Sequence, residues 1–323
     1  MQMTTLGRTG LPVSRIAYGT WQLGGDWGGF DENAAISAIR HALDLGINFF
    51  DTAQGYGFGA SERLLGKALR AEITNDRDSV VIATKGGILP NGGGRDASAA
   101  YLRRGVEESL RALGVDTIDL YQVHWPDEKV PAEETAGVLQ ELVEAGKIRY
   151  VGVSNYDVGQ MEEFAAVRPV DALQPPYHLF RRGIEAEILP YTIKHDIGVL
   201  VYSPLASGLL TGRFDENTTF EEGDWRAEAT AFTGETFKRN LSVVRELEEF
   251  ASERGISVSQ LAIARVLAQP GVHVAIVGAR SSANIEASAK AADVELSPGD
   301  IAWIDEIVAT GVQVEGATPE GVL

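Results

Sequence analysis

The strongest constraint on this chain is an alternation. Eight short apolar runs, rich in β-branched residues, recur from Arg15 to Gly278, with helical patterns between them. The runs are RIAYGTW (15–21), NFFDTA (48–53), SVVIATK (79–85), IDLYQVHW (118–125), IRYVGVSN (148–155), VDALQPPYH (170–178), IGVLVYSP (197–204) and VHVAIVG (272–278). Several are apolar on both faces, as a parallel strand covered by helices requires. Between them, DENAAISAIRHALDLG opens on a capping Asp31 and closes on Gly46, and SERLLGKALRA reads as starting from Ser61. SAAYLRRGVEESLRALG, PAEETAGVLQELVEAG, EAEILPYTIKHDIG and SSANIEASAKAA follow the same plan. Strict βα alternation without a linker predicts a closed (β/α)8 TIM barrel, one domain over residues 1–323. The competitor, a doubly wound sheet, would carry a phosphate-binding glycine fingerprint after its first strand, and no run here is followed by one with that spacing.

Two segments depart from the alternation. After the seventh strand, residues 206–235 read as a long polar insertion, followed by helices over 240–254 and 258–268. VELSPGDIAWIDEIVATG (294–311) adds a further C-terminal helix. Long insertions at the C-terminal face of a barrel shape binding sites. Residues 1–14 read as a hairpin closing the opposite end.

Composition narrows the chemistry. The chain has no cysteine, which removes thiol nucleophiles, disulfides and thiolate metal sites, and its five histidines make a zinc site improbable. Acidic residues outnumber basic ones by 46 − 28 = 18, a balance that repels nucleic acid. There is no signal-like or membrane-length apolar span, so a cytoplasmic location without membrane association is expected. The oligomeric state stays open, with a monomer favoured.

In a barrel, chemistry gathers where strands end. Asp51 ends the second strand, Lys85 the third and His124 the fourth, while Tyr56 follows among Gly55, Gly57 and Gly59. Each has an ordinary reading: a turn-capping Asp, a solvent-seeking Lys, a core His, a packing Tyr. Together, at three successive strand ends, they suit proton transfer coupled to hydride transfer. A phenol holds its proton until about pH 10. A lysine ammonium beside it favours the phenolate, an aspartate holds that lysine, and a histidine can orient a substrate carbonyl.

Asp51 with Tyr56, Lys85 in ATKGG and His124 in YQVHWPD resemble the catalytic tetrad of the aldo-keto reductases. DTAQGYGFGASERLLGKAL, VGVSNY, QPPYHLF and VYSPLASGLLTGRF are similar to further segments of that family, and HWPD with the short loops favours its bacterial and archaeal-type members. The resemblance implies an NADP(H)-dependent oxidoreductase acting on aldehydes, ketones or sugars, with the cofactor extended across the barrel mouth. It implies Gly19, Thr20, Trp21 and Asp51 near the cofactor, Ser154, Asn155 and Gln174 on the nicotinamide carboxamide, and Tyr202 stacked on the ring. Ser203, Leu205, Ser207 and Arg213 would accompany the pyrophosphate, and Gly278, Arg280, Asn284 and Ser288 the adenosine end. An arginine fork at position 280 suits a 2′-phosphate. Asn284, Ala287 and Ser288 depart from the family's usual residues, so use of NAD(H) stays open. Trp21, Tyr56, Phe58, His124, Trp125 and Tyr177 would line the substrate pocket, and no metal is implied. Two other readings remain: a barrel lyase using Lys85 as a Schiff base, and a non-catalytic cofactor-binding sensor.

Overall fold

The computed structural model describes residues 1–25, 29–221 and 224–314. A hairpin of β1 (Met3–Thr5) and β2 (Pro12–Ser14) precedes eight parallel strands. These are β3 (Ile16–Gly19), β4 (Phe49–Asp51), β5 (Val81–Gly86), β6 (Ile118–Val123), β7 (Ile148–Ser154), β8 (Ala172–Gln174), β9 (Gly198–Val201) and β10 (Val274–Gly278). Each pairs with the next, and β10 returns to pair with β3, so the predicted barrel is closed.

Strand periodicity of two explains how one barrel holds both a core and a polar rim. Alternate residues face inward, and the lower ones are apolar: Phe49, Ala83, Leu120, Ala172 and Leu200 form one buried interior cluster. Two residues further along the same faces come Asp51, Lys85, Gln122, Gln174 and Tyr202. The intervening residues, among them Phe50, Ile82, Tyr121, Val153 and Val199, pack outward against the helices. Leu6, at the hairpin tip and fully buried, closes the lower end. Its seat needs two glycines. A Cβ on Gly198 would meet Leu6 Cδ1 at 2.6 Å, and one on Gly7 would meet the Gly198 nitrogen at 2.4 Å.

The surrounding helices are α1 (Glu32–Asp44), α2 (Ala60–Ala68), a short unforeseen α3 (Arg70–Asn75), α4 (Ala99–Leu113), α5 (Ala132–Glu144), α6 (Val158–Ala165) and α7 (Ile188–Lys194). They are followed by α8 (Gly234–Glu253), α9 (Val258–Leu267), α10 (Ser282–Ala289) and α11 (Pro298–Ala309). Asp31 caps α1 as expected, its carboxylate accepting from the Asn33 and Ala34 amides. Ser61 does not cap α2. The helix opens one residue earlier, after Gly59 in left-handed backbone, and the Ser61 hydroxyl is buried against Thr20 and Thr52.

The segment after β9 is not the polar excursion its composition implied. Phe220 and Trp225 meet Phe232 edge-on at 5.4 and 5.7 Å, and Phe214 joins them. Such pairs contribute about 0.5–1.5 kcal/mol each beyond area burial. They seal a second core formed by Phe180, Leu209, Leu210, α8, Leu261 of α9 and Ile304 of α11. The helix that follows therefore starts at Gly234, six residues before the expected 240. Among the described residues no helix is long and apolar enough to cross a membrane.

Candidate active site

The Asp51, Tyr56 and Lys85 side chains meet at the C-terminal end of the barrel. Lys85 is fully buried, and its Nζ donates to Asp51 Oδ1 at 2.6 Å, to the Thr52 carbonyl at 2.9 Å and to the Tyr56 hydroxyl at 3.2 Å. A buried ion pair is tolerable only when its remaining oxygens are also satisfied. Asp51 Oδ2 accepts from Gln174 Nε2 at 2.9 Å and from Gln122 Nε2 at 3.4 Å. Gln122 was not among the expected site residues. It is fully buried, and Gly152 makes room for it, since a Cβ there would sit 2.9 Å from Gln122 Cγ. The signal was present: Gln122 precedes His124 by two residues, so it shares the inward face.

The loop after β4 carries Tyr56 back over Lys85. The Thr52 and Gln54 amides continue the ladder to Ala83 and Lys85, after which the chain turns. Gly57 takes a φ of 64°, and a Cβ on it would meet the Gly24 oxygen at 2.3 Å, so no other residue fits. Ser61 ties the loop to the rim through Thr20 Oγ1 at 2.7 Å and Thr52 Oγ1 at 3.1 Å. Phe58 is held at φ 45°, unusual for a non-glycine, with its ring 44% exposed. A non-glycine residue persists in that region only where the surrounding structure holds it there.

His124 completes the quartet, with its ring edge-on to Tyr56 at 5.7 Å. The Trp21 ring stacks on Tyr56, with centroids 6.4 Å apart and planes 30° from parallel. Trp125 packs under the Arg95 guanidinium, 4.6 Å from the ring centre. Tyr177 does not line this mouth: it is buried in the outer core, and its hydroxyl donates to Glu185 at 2.5 Å. Pro176 continues the pairing with Tyr202, so strand alternation from the inward Gln174 puts Tyr177 on the outer face.

A second group of expected residues forms a chain along the mouth. Tyr202 Oη donates to Asn155 Oδ1 at 2.8 Å, and Asn155 Nδ2 donates to the His124 carbonyl at 3.1 Å and to Ser154 Oγ at 3.0 Å. Ser154 Oγ donates in turn to the Gln174 carbonyl. Beyond Tyr202, Ser203, Ala206 and Ser207 all have positive φ, and Leu205 is half-buried between the two cores. Three left-handed non-glycine residues within five positions mark a loop whose conformation is fixed by the structure around it. Arg213 donates to Asn284 Oδ1 at 3.2 Å, linking this loop to α10, whose first turn is capped by Ser281. Gly278 and Arg280 are exposed just before α10. Ser288 sits near the other end of α10, about 9 Å along the axis from its first residue, so it is not grouped with the helix start. Gln22, also not foreseen, lies against Gly278, where a Cβ would meet its side-chain amide at about 3.0 Å.

Behind the Lys85 strand lies a titratable group outside the quartet. Glu62 is 1% exposed and accepts from Thr84 Oγ1 at 2.7 Å; burial pushes its pKa up. The fold thus favours neutral Glu62, a contribution complete below the ordinary glutamate value and lost as pH rises through the folded value. Glu62→Gln stays neutral throughout. It is expected to match the wild type in Tm at about pH 4.5 and to exceed it by a few degrees at about pH 9. Melting curves in the two buffers check this; a wild-type lead at the alkaline end contradicts it.

At the barrel rim a buried lysine thus joins a carboxylate to a tyrosine, and a histidine ring meets that tyrosine edge-on. The model of the Aldo/keto reductase family matches residues 15–309. The chain belongs to the aldo/keto reductase family. This aldo/keto reductase is 47% identical over 291 residues to the aldo-keto reductase YhdN of Bacillus subtilis (strain 168), covering 89% of this chain and 87% of that protein. It is 33% identical over 325 residues to the NADH-specific methylglyoxal reductase of Escherichia coli (strain K12), covering 95% of this chain and 98% of that one. The solved structure of the glycerol dehydrogenase AKR11B4 from Gluconobacter oxydans superposes with a TM-score of 0.87 at 41% identity, covering 95% of each chain.

Proposed function

We propose that this aldo/keto reductase is a single-domain NADP(H)-dependent oxidoreductase that interconverts small aldehydes or ketones with alcohols, Tyr56 acting as general acid and base. The observation that carries the reading is the Lys85 ammonium, 3.2 Å from the Tyr56 hydroxyl and 2.6 Å from Asp51. As the tyrosine proton passes to a carbonyl oxygen, negative charge develops on the phenol oxygen, and the ammonium stabilises it without reorganising. Asp51, itself held by Gln122 and Gln174, keeps Lys85 in place. His124, beside Tyr56, orients the substrate oxygen.

The residues along the mouth fit a nicotinamide nucleotide by the chemistry of their donors. Tyr202 offers a ring face, Ser154 and Asn155 polar groups beside it, and Gln174 the amide oxygen that its bond to Asp51 leaves available. The loop of Ser203, Leu205 and Ser207 reaches toward Arg213 and the start of α10, where backbone amides and Arg280 suit phosphate. When bound, the nucleotide supplies or accepts the hydride. Arg280 favours a 2′-phosphate, hence NADP(H), whereas a relative is named NADH-specific, so both nucleotides belong in the test.

The Schiff-base reading fares worse. A lysine nucleophile must be neutral and free to attack, whereas Lys85 Nζ makes three hydrogen bonds, one to a carboxylate. The test is a panel of aldehydes, ketones and sugars followed by NADPH and NADH absorbance, with borohydride trapping in parallel. Carbonyl-dependent oxidation of a reduced nucleotide is expected. A substrate-borohydride adduct at Lys85 without such oxidation would overturn the reading.

A further inference from the structure

The loop between β5 and α4 carries a cation with no assigned role. Arg95 pairs across that loop with Ile88, which packs against Gly55, next to Tyr56. Tyr101 holds the loop from outside, its hydroxyl donating to the Ile88 carbonyl at 2.5 Å. The Arg95 guanidinium lies 4.6 Å from the Trp125 ring centre, and Trp125 directly follows His124. Arg95 therefore stands on the same stretch of rim as the proposed proton donor and the residue that orients the carbonyl.

Its surroundings leave its charge unanswered. Nη1 donates to the Pro126 carbonyl at 3.2 Å. Among the described residues no carboxylate lies within ion-pair distance of Arg95. The two nearest acids in sequence are turned to other work. Asp96 accepts from the Ser98 amide, and Asp127 accepts from the Ala97 and Lys129 amides. In a chain with 46 acidic and 28 basic residues, an arginine left without an acid at a site entrance is conspicuous. Its stack on an indole costs the fork few donors and fixes its plane, which is how arginine is prepared for a carboxylate or phosphate. A formal charge of −18 repels anions at long range, so a pocket that selects them needs a local cation.

We propose that Arg95, stacked on Trp125, recognises an anionic group of the substrate, and that the preferred substrates are small aldehydes or ketones carrying a carboxylate or phosphate. This rests on the carbonyl-reductase reading above. Matched pairs test it: butanal against 4-oxobutanoate for carboxylate, and glyceraldehyde against glyceraldehyde 3-phosphate for phosphate, each with NADPH and NADH. The wild type is expected to favour the charged member of at least one pair by roughly tenfold or more in kcat/KM, as a charged hydrogen bond implies. That preference should fall by a similar factor in Arg95→Gln, mostly through KM, and partly survive in Arg95→Lys, which keeps the charge but not the fork. Which pair responds identifies the anion. Tm and nucleotide affinity report folding; if Arg95→Gln does not fold, the wild-type ratios and Arg95→Lys decide. Equal use of charged and neutral members, or a preference that survives Arg95→Gln, overturns the assignment while leaving the reductase reading intact. Absence of turnover with every carbonyl removes both.

Discussion

Tyr56→Phe is expected to lower kcat for carbonyl reduction by roughly 10²–10⁴-fold while leaving nucleotide affinity and Tm close to wild type. The variant removes one oxygen from a buried site and nothing else. Lys85 keeps its two stronger contacts, to Asp51 at 2.6 Å and to the Thr52 carbonyl at 2.9 Å, so the ammonium remains satisfied. The group around Tyr202 and Asn155 is held by its own bonds, Tyr202 to Asn155 and Asn155 to Ser154 and the His124 carbonyl, which the variant leaves in place. Steady-state kinetics with fluorescence titration of the nucleotide checks both halves. Retained turnover would mean that another group, or solvent, delivers the proton. A Schiff-base enzyme would also survive this change, so the variant discriminates between reaction classes as well as between residues.

Lys85→Met should be the more damaging substitution, because it removes a chemical and a structural function at once. The methionine stem fills much of the same volume, but the Asp51 carboxylate is left 3% exposed without a counter-charge. The Gln122 and Gln174 amides remain, and they carry no full charge. Breaking one side of a buried ion pair costs about 3–5 kcal/mol. For a chain of this size that corresponds to a Tm lower by roughly 4–7 °C. Turnover should fall at least as far as in Tyr56→Phe, since the ammonium that would stabilise the developing phenolate is gone. The double variant Lys85→Met with Asp51→Asn separates the two effects: most of the lost stability should return, and none of the activity. Recovery of activity in the double variant would show that the lysine acts only by holding the fold.

The barrel was legible because the pattern behind it is strong. Parallel strands buried on both faces read as short apolar runs, and helices with Asp31, Ser98 or Ser281 at their starts follow known capping chemistry. The quartet was legible because three strand ends and one glycine-spaced loop each carry a different ionisable group. What escaped notice depended on distant packing. Ser61 looks like a helix cap in sequence, yet Thr20 and Thr52 compete for its hydroxyl. The stretch from 206 to 235 reads as polar because its aromatics are widely spaced, and only folding brings Phe214, Phe220, Trp225 and Phe232 together. Tyr177 sits three residues after the end of β8, but strand alternation turns it to the outer core rather than the mouth. Gln122 lies two residues before His124 on the same face, but a glutamine has no titration to advertise it. Arg95 could not have been found, because its stack on Trp125 joins residues from different loops.

The inward faces of the strands also divide labour by height. Moving two residues along β4, β5 or β6 passes from Phe49, Ala83 and Leu120 to Asp51, Lys85 and Gln122. The lower storey is a filled apolar stack resting on Leu6, and the upper one bears the polar groups. Tyr202 belongs to both, since it packs into the same buried cluster as Leu120 and Leu200. A close-packed interior transmits strain, so repacking below is felt above through that ring, and attempts to toughen the barrel and to retune its reactivity have to be made together.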